Sequence, residues 1–269
     1  MFTPGLAARR ELGAILFFTC ILAAPAQAQQ PEVVYEPTPH ETVARMLSLA
    51  RVGAGDFVID LGSGDGRIPI AAGRHGARAL GIELDEALLE KARAGARAAG
   101  VADRVSFRRE DLFKTPLDEA TVITLYLLPE MNARLRPRLL AMRPGTRVVA
   151  HRFDIGDWKP DQTEHDGGYV YLWIVPANVA GRWELQHGGD RIALDLTQRY
   201  QEVSGSAVVG GATLPLSDAS LRGNEIAFTL ALRGQPTRFR GAVAGNAMQG
   251  AGGGFGFATF SGPWQASRP

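Results

Sequence analysis

Phe57-Val58-Ile59-Asp60-Leu61-Gly62-Ser63-Gly64-Asp65-Gly66 is an apolar run that closes on an acid and then places glycine at three alternate positions. A short β-branched and aromatic run halted by a Gly-rich turn reads as a buried strand delivering its carboxyl end to a loop. Without a Cβ, Gly62, Gly64 and Gly66 let backbone N–H groups approach a ligand and take positive φ at little cost. A helix starting near Arg67 points its positive end at the same place. A strand–turn–helix with no ligand is the plainer alternative, and two features weigh against it. The spacing is Gly-x-Gly-x-Gly directly after Asp60-Leu61, whereas the dinucleotide fingerprint is Gly-x-Gly-x-x-Gly. Ala79-Leu80-Gly81-Ile82-Glu83 is a second buried strand ending in an acid, 21 residues after Gly62, suited to take both ribose hydroxyls of an adenosine.

With those residues, the stretch Val58 to Gly66 resembles motif I of the class I S-adenosylmethionine (SAM) methyltransferases. The resemblance implies SAM as cofactor and an α/β fold with a Rossmann-like, seven-stranded sheet. It implies a cofactor site made of Asp60, Gly62, Ser63, Gly64, Asp65, Gly66 and Glu83, with Thr38 beside them. It also implies that Asp111 accepts from the adenine amino group.

Outward from the loop, strands alternate with helices, which means a parallel sheet with right-handed crossovers. Thr38-Pro39-His40-Glu41 reads as a capping box opening an amphipathic helix through Val43, Met46, Leu47 and Ala50. Ile68 to Arg74 is helical, with Pro69 in the first turn. Asp85 caps a helix over Glu86 to Ala99 that Gly100 ends. Strands follow at Val105 to Arg109, Val122 to Leu128 and Arg147 to His151. Between the last two, Met131 to Met142 is helical, and Pro137 should kink or split it. Trp158 to Thr163 and Tyr169 to Val175 read as a closing hairpin.

Closer still, Tyr35-x-Pro-Thr-Pro, Asp60-Leu-Gly-Ser-Gly-Asp-Gly-Arg67, Leu127-Leu-Pro-Glu-Met131, His151-Arg-Phe153 and Trp158 resemble one subfamily. It is that of the ATP synthase c-subunit lysine methyltransferases and the archaeal broad-specificity protein lysine methyltransferases. That resemblance implies a protein-lysine acceptor, with Tyr35, Tyr126 and Pro129 at the methyl-transfer side. The chain lacks the Asn/Asp-Pro-Pro-Tyr segment of other amino-methyltransferases and has Tyr126 to Pro129 in its place, which leaves the acceptor atom open. A small-molecule methyl acceptor is the alternative. A non-catalytic, exported SAM-fold protein whose β domain does the binding is the rival of a different class.

The ends of the chain differ in kind. Arg9-Arg10, the 13-residue apolar run Leu12 to Ala24 and Ala26-Gln27-Ala28 read as a cleaved signal peptide over residues 1–28. The run is short of the roughly 20 residues a membrane-spanning helix needs, so no stable span is expected. The expected place is the periplasm, with inner-membrane anchoring, or a cytoplasmic protein from a different start site, as alternatives. Cys20 is the single cysteine, so cleavage leaves neither disulfides nor thiol nucleophiles. Cleavage also removes Arg9, Arg10 and Glu11, one net positive charge, and the formal +1 becomes zero. Nucleic-acid binding rests on clustered positive charge, so no nucleic-acid partner is expected.

The methyltransferase domain is read as 31–176, and a composition shift at Pro176-Ala177-Asn178 opens a second domain, 178–269, that holds half of the 32 glycines. There Ile192, Leu194, Leu196 and Ile226, Phe228, Leu230, Leu232 alternate with other residues between Gly-rich turns. The pattern predicts a small all-β meander or barrel. It is either a structural or docking module or a barrel that binds an apolar ligand or partner, and Gly252 to Gly256 is a flexible tip or a sharp bend. The five histidines show no ligand spacing, so no metal is expected. His151, at the end of a strand, is a candidate base or a local hydrogen-bonding group. Tyr35, Tyr126, Phe153 and Trp158 collect at the sheet's carboxyl edge.

Overall fold

A computed structural model describes Met1, residues 36–254 and residues 262–269. The signal-peptide reading, Cys20 and Tyr35 lie outside the described residues. Seven strands form the first sheet: β1 (Phe57–Leu61), β2 (Arg78–Glu83), β3 (Val105–Arg109), β4 (Val122–Leu125), β5 (Arg147–His151), β6 (Gln162–His165) and β7 (Tyr169–Ile174). Their order is β3-β2-β1-β4-β5-β7-β6, with β1 to β5 parallel and the β6–β7 hairpin antiparallel at the edge. Chain order reverses between β1 and β4, the switch point where open α/β sheets bind ligands.

Both faces are covered, so the central strands β1, β4 and β5 are almost wholly buried, while β3 and β6 at the two edges carry exposed polar residues. Val58, Val122 and Val149 pack under α1 (His40–Leu49), α2 (Arg67–Arg74) and α3 (Glu86–Ala98). On the opposite face Ile59, Ile123 and Val148 meet Leu135 and Leu139 of α4 (Pro129–Leu140) together with Trp158 and Trp173.

Four expectations give way here. Pro39 is the N-cap of α1 and no side chain caps it, because the Pro39 carbonyl takes the Val43 N–H (2.9 Å) and Thr38 turns inward, buried. The fourth strand ends at Leu125, since Pro129 starts α4 at its first position, where its missing N–H costs nothing. α4 then runs through Pro137, near enough to its end for little of the ladder to be lost. Trp158 belongs to an isolated bridge with Ile155, and the hairpin strand starts at Gln162.

The second sheet has nine antiparallel strands: β8 (Gly181–His187), β9 (Asp190–Arg199), β10 (Glu202–Val209), β11 (Ala212–Pro215), β12 (Ser217–Arg222), β13 (Glu225–Leu232), β14 (Gln235–Ala244), β15 (Ala247–Gly254) and β16 (Gly262–Ser267). Two meanders, β8 to β11 and β12 to β16, are joined where β16 pairs with β8. The sheet is nearly closed, and the Leu216 N–H donates to the Gly205 carbonyl (3.0 Å), which carries the β10–β11 ladder one step further. Inside it, Phe228 and Phe239 stack at 5.1 Å, Trp264 stands edge-on to both, and Trp183 and Met248 are buried beside them. Gly252 is part of β15, with the Phe239 ring 3.0 Å from where a Cβ would stand, and the rest of the expected tip or bend, from residue 255 on, lies outside the described residues. Both sheets belong to the unit Glu36–Pro269.

Candidate active site

Parallel register sets the carboxyl ends of the strands side by side: Leu61 pairs with Ile82 and Leu125, Glu83 with Arg109, and Leu125 with Ala150. The Gly62 and Ser63 N–H groups both donate to the Ile82 carbonyl (2.9 and 2.8 Å), which folds the glycine loop back onto β2. Gly62, Gly64 and Gly66 have φ of 81°, 52° and 79°, the left-handed region glycine favours. At Gly66 a Cβ would stand 2.7 Å from the Ala92 Cβ and the Phe107 ring, so the turn is also too tight for another residue. The Glu83 carboxylate accepts from the Gly64, Leu84 and Asp85 N–H groups (3.0, 2.7 and 3.1 Å) and so faces the loop.

Beneath the loop, Asp60 is 2% exposed and accepts from the Thr124 hydroxyl at 2.6 Å. Burial pushes its pKa up to about 7; the Thr124 bond opposes this, and the charges of Glu83 and Asp65 add to it. Asp65 pairs with Arg67 (2.7 Å), and Arg67 also donates to the Thr38 carbonyl (2.7 Å), so Thr38, Arg67 and Asp65 bind the entry to α1 to the glycine loop. The Ser63 hydroxyl is buried without a partner. Asp111, two residues beyond β3, accepts from the Phe113 N–H at 2.9 Å.

These residues fit a SAM-like group. Asp60, Glu83 and Asp111 put carboxylates at the ends of three neighbouring strands, where a pyrophosphate would be repelled. A cationic ligand carrying hydroxyls and an amine complements them.

On the other side of the switch point, Tyr126 follows β4 and its ring lies 4.2 Å from that of His151 and 6.4 Å from that of Phe153. Leu127 leans over the glycine loop, its Cδ2 2.9 Å from where a Gly62 Cβ would be. Pro129 is exposed at the start of α4. Arg152, held at φ 68°, donates to the Tyr126 hydroxyl and to Glu36 (both 3.3 Å). Burial pushes the Tyr126 phenol up, with Glu36 adding and Arg152 opposing.

His151 is 7% exposed with Nδ1 unpartnered, so the local hydrogen-bonding role expected of it is not what holds it. Burial, then Arg152 and Arg45, pull its pKa down, with Glu36 opposing. Trp158 is fully buried and bonded to Gln201 of the second sheet, so of the four edge aromatics it belongs to the core. Thr124, Arg45 and Asn132 carried no sequence signal, and Arg152 entered only as part of the His151-Arg-Phe153 motif: register, one φ angle and helix facing bring them in. Among the described residues no group of His, Cys, Asp and Glu could hold a metal ion.

Sheet order, glycine loop and carboxylate set together define a class I SAM-dependent methyltransferase. The family model described as "ANTKMT methyltransferase domain" matches residues 60–162. A protein-lysine N-methyltransferase of Saccharolobus islandicus (strain REY15A) is 40% identical over 153 residues, 54% of this chain and 95% of that protein. The chain belongs to this family of SAM-dependent methyltransferases. An ATP synthase c-subunit lysine N-methyltransferase of Mus musculus is 35% identical over 149 residues, 55% of each chain. A solved RNA methyltransferase from Salinibacter ruber, in complex with S-adenosyl-L-homocysteine, is 54% identical with a TM-score of 0.53, over 54% of this chain and 96% of that one.

Proposed function

We propose that this methyltransferase modifies the ε-amine of protein lysine side chains. The observation that carries the reading is the 40% identity spanning 95% of the archaeal protein-lysine N-methyltransferase. Gly62, Ser63, Gly64, Asp65 and Gly66 would cradle the cofactor, Glu83 its ribose, Asp111 its adenine and Asp60 its positive charge, with Thr38 bracing the loop through Arg67. Bound SAM supplies a methyl group on a sulfonium, an already activated leaving group. The protein's share is then in-line positioning and removal of water.

A lysine acceptor must also arrive neutral. From a pKa near 10.4, deprotonation at pH 7 costs about 5 kcal/mol. The surroundings of Tyr126 would lower that cost, as His151 beside it indicates: burial together with Arg152 and Arg45 disfavours a cation there, an ammonium as much as an imidazolium. Tyr126 and Phe153 supply aromatic walls, and Tyr126 and Pro129 bound the side on which the acceptor enters. No dedicated base is required.

The name of the Salinibacter ruber protein makes RNA the competing acceptor. The formal charge of this chain, +1 over 269 residues, favours the protein acceptor over a polyanion. Incubating the enzyme with methyl-labelled SAM and a cell lysate, followed by mass spectrometry, tests the proposal. Label on lysine nitrogen supports it; label confined to RNA, to small molecules or to oxygen refutes it. The reading of residues 1–28 as a cleaved export signal is proposed alongside, on Arg9-Arg10, the apolar run and Ala26-Gln27-Ala28. A mature N-terminus at Gln29 on a periplasmic protein supports export, and an intact Met1 on a cytoplasmic one refutes it.

A further inference from the structure

Residues 152–161 leave β5 beside Tyr126 and reach β6 with only the Ile155–Trp158 bridge for regular structure, so other groups must fix their path. From the first sheet's side, α4 holds the near end. The Asn132 amide donates to the Phe153 and Asp154 carbonyls (3.3 and 3.0 Å), and Arg136 donates to the Ile155 carbonyl (3.2 Å) and to Asp157. From the second sheet, four consecutive residues at the β9–β10 turn hold the far end. Arg199 donates to Asp157 (2.7 Å), and so does the Tyr200 hydroxyl (3.0 Å). Gln201 accepts from the Trp158 indole (2.9 Å) and donates to the Lys159 carbonyl (2.6 Å), while Glu202 accepts from the Lys159 ammonium (2.7 Å).

Two details show how closely the path is determined. Arg152 at one end and Tyr200 at the other both sit at positive φ, 68° and 56°, a conformation a side-chain-bearing residue keeps only where its surroundings over-determine it. Trp158, in the middle, is wholly buried: its indole bonds the second sheet, its carbonyl accepts from the Trp173 indole (2.7 Å), and its ring lies 6.2 Å from that of Tyr200. The bonds of the cofactor loop run to β2, to Thr38 ahead of α1 and to Lys91 of α3.

The geometry points to a role for the second sheet in methyl transfer: its β9–β10 turn positions the 152–161 segment, and through it Arg152 and Phe153 beside Tyr126, without acting on the cofactor loop. Tyr200 and Gln201 are positioning residues in this assignment, which rests on the acceptor side having been placed correctly at Tyr126. The second sheet is then a wall of the acceptor site built from outside the span matched by the family model, which ends at residue 162.

The test uses the full chain and three readouts: SAM affinity by calorimetry, hydrogen exchange, and methyl transfer from labelled SAM to poly-L-lysine. Tyr200→Gly combined with Gln201→Ala removes the bonds to Trp158, to the Lys159 carbonyl and from the Tyr200 hydroxyl, leaving the Arg199 and Glu202 pairs, and keeps a residue at ease with positive φ. Exchange at 153–159 should rise about tenfold or more with residues 57–66 unchanged. SAM affinity should stay within about twofold while kcat falls about tenfold or more. Tyr200→Phe, which keeps the ring, should restore most of kcat. Exchange rising evenly through both sheets, unchanged exchange at 153–159, or faster exchange there with unchanged kcat would each overturn the assignment. Wild-type enzyme that leaves poly-L-lysine unlabelled would refute the lysine reading alone, and the exchange arm would still decide this one.

Discussion

Asp60 should tie cofactor affinity to pH. An unfolded aspartate ionises near 3.8, whereas burial holds this one up to about 7, so between those values the native state loses about 4 kcal/mol of stability. The sign follows from the raised pKa: the protein is relieved of the cost in acid and carries it in full as pH rises through the folded value. A cationic cofactor placed over Asp60 favours the carboxylate, so at lower pH binding must expel a proton. The Kd for SAM should therefore increase by up to about tenfold for each pH unit below about 7 and level off above it. Calorimetry at about pH 6 and about pH 8, in buffers of different ionisation enthalpy, counts the protons released. Asp60→Asn keeps the shape and the Thr124 contact but cannot titrate, so its affinity should be flat with pH and weaker than wild type above neutrality. It should also be more stable to heat than wild type above neutrality, where the wild type bears the buried charge. No proton release by the wild type at about pH 6, or the same slope in Asp60→Asn, would refute the reasoning.

Three further outcomes are expected. Glu83→Ala removes the acceptor for three N–H groups along with the ribose ligand, and SAM affinity should fall by about a hundredfold, near 3 kcal/mol; titration calorimetry giving equal affinity would contradict the site. Gly66→Ala forces a Cβ to 2.7 Å from Ala92 and Phe107 at φ 79°, and thermal unfolding should show a loss of about 2–4 kcal/mol; an unchanged Tm would contradict the packing described. Tyr126→Ala should lower kcat far more than SAM affinity, and Tyr126→Phe, which loses only the hydroxyl bond from Arg152, should fall between; parallel losses of kcat and affinity would move Tyr126 to the cofactor side.

The first sheet was legible because its strands are short apolar runs and its turns are glycines or caps, both local signals. Asp85 caps α3 as its position suggested, and Gly100 takes the left-handed turn that ends it. What sequence could not give was the set of contacts decided by register. Thr124 meets Asp60 only because β1 and β4 pair with those two residues opposite each other, 64 positions apart. Trp158 looked like an edge aromatic, but its partner Gln201 lies 43 residues on, in a different sheet. Thr38-Pro39-His40-Glu41 spelled a capping box, and the pull of Arg67 on the Thr38 carbonyl, a long-range contact, accompanies a different start to α1. In the second domain, alternation predicted strands and faces correctly, whereas the mutual packing of the Phe228, Phe239 and Trp264 rings, decided by strand pairing, carried no local signal.

The pairing of β16 with β8 has a bearing on how the chain is made. The Gln265 side chain bonds that of Gln186 across 79 residues, with seven strands of the same sheet between the two in sequence. Contacts of such long sequence separation are slow to form because the loop-closure entropy is spent before the contact rewards it. The strands of the first sheet end at Ile174, so its ladder can form while synthesis continues, and only the 152–161 segment then waits for the β9–β10 turn. The second sheet cannot be sewn shut until β16 has left the ribosome, and loss of β16 would leave two open meanders with free edges, the form most prone to aggregate.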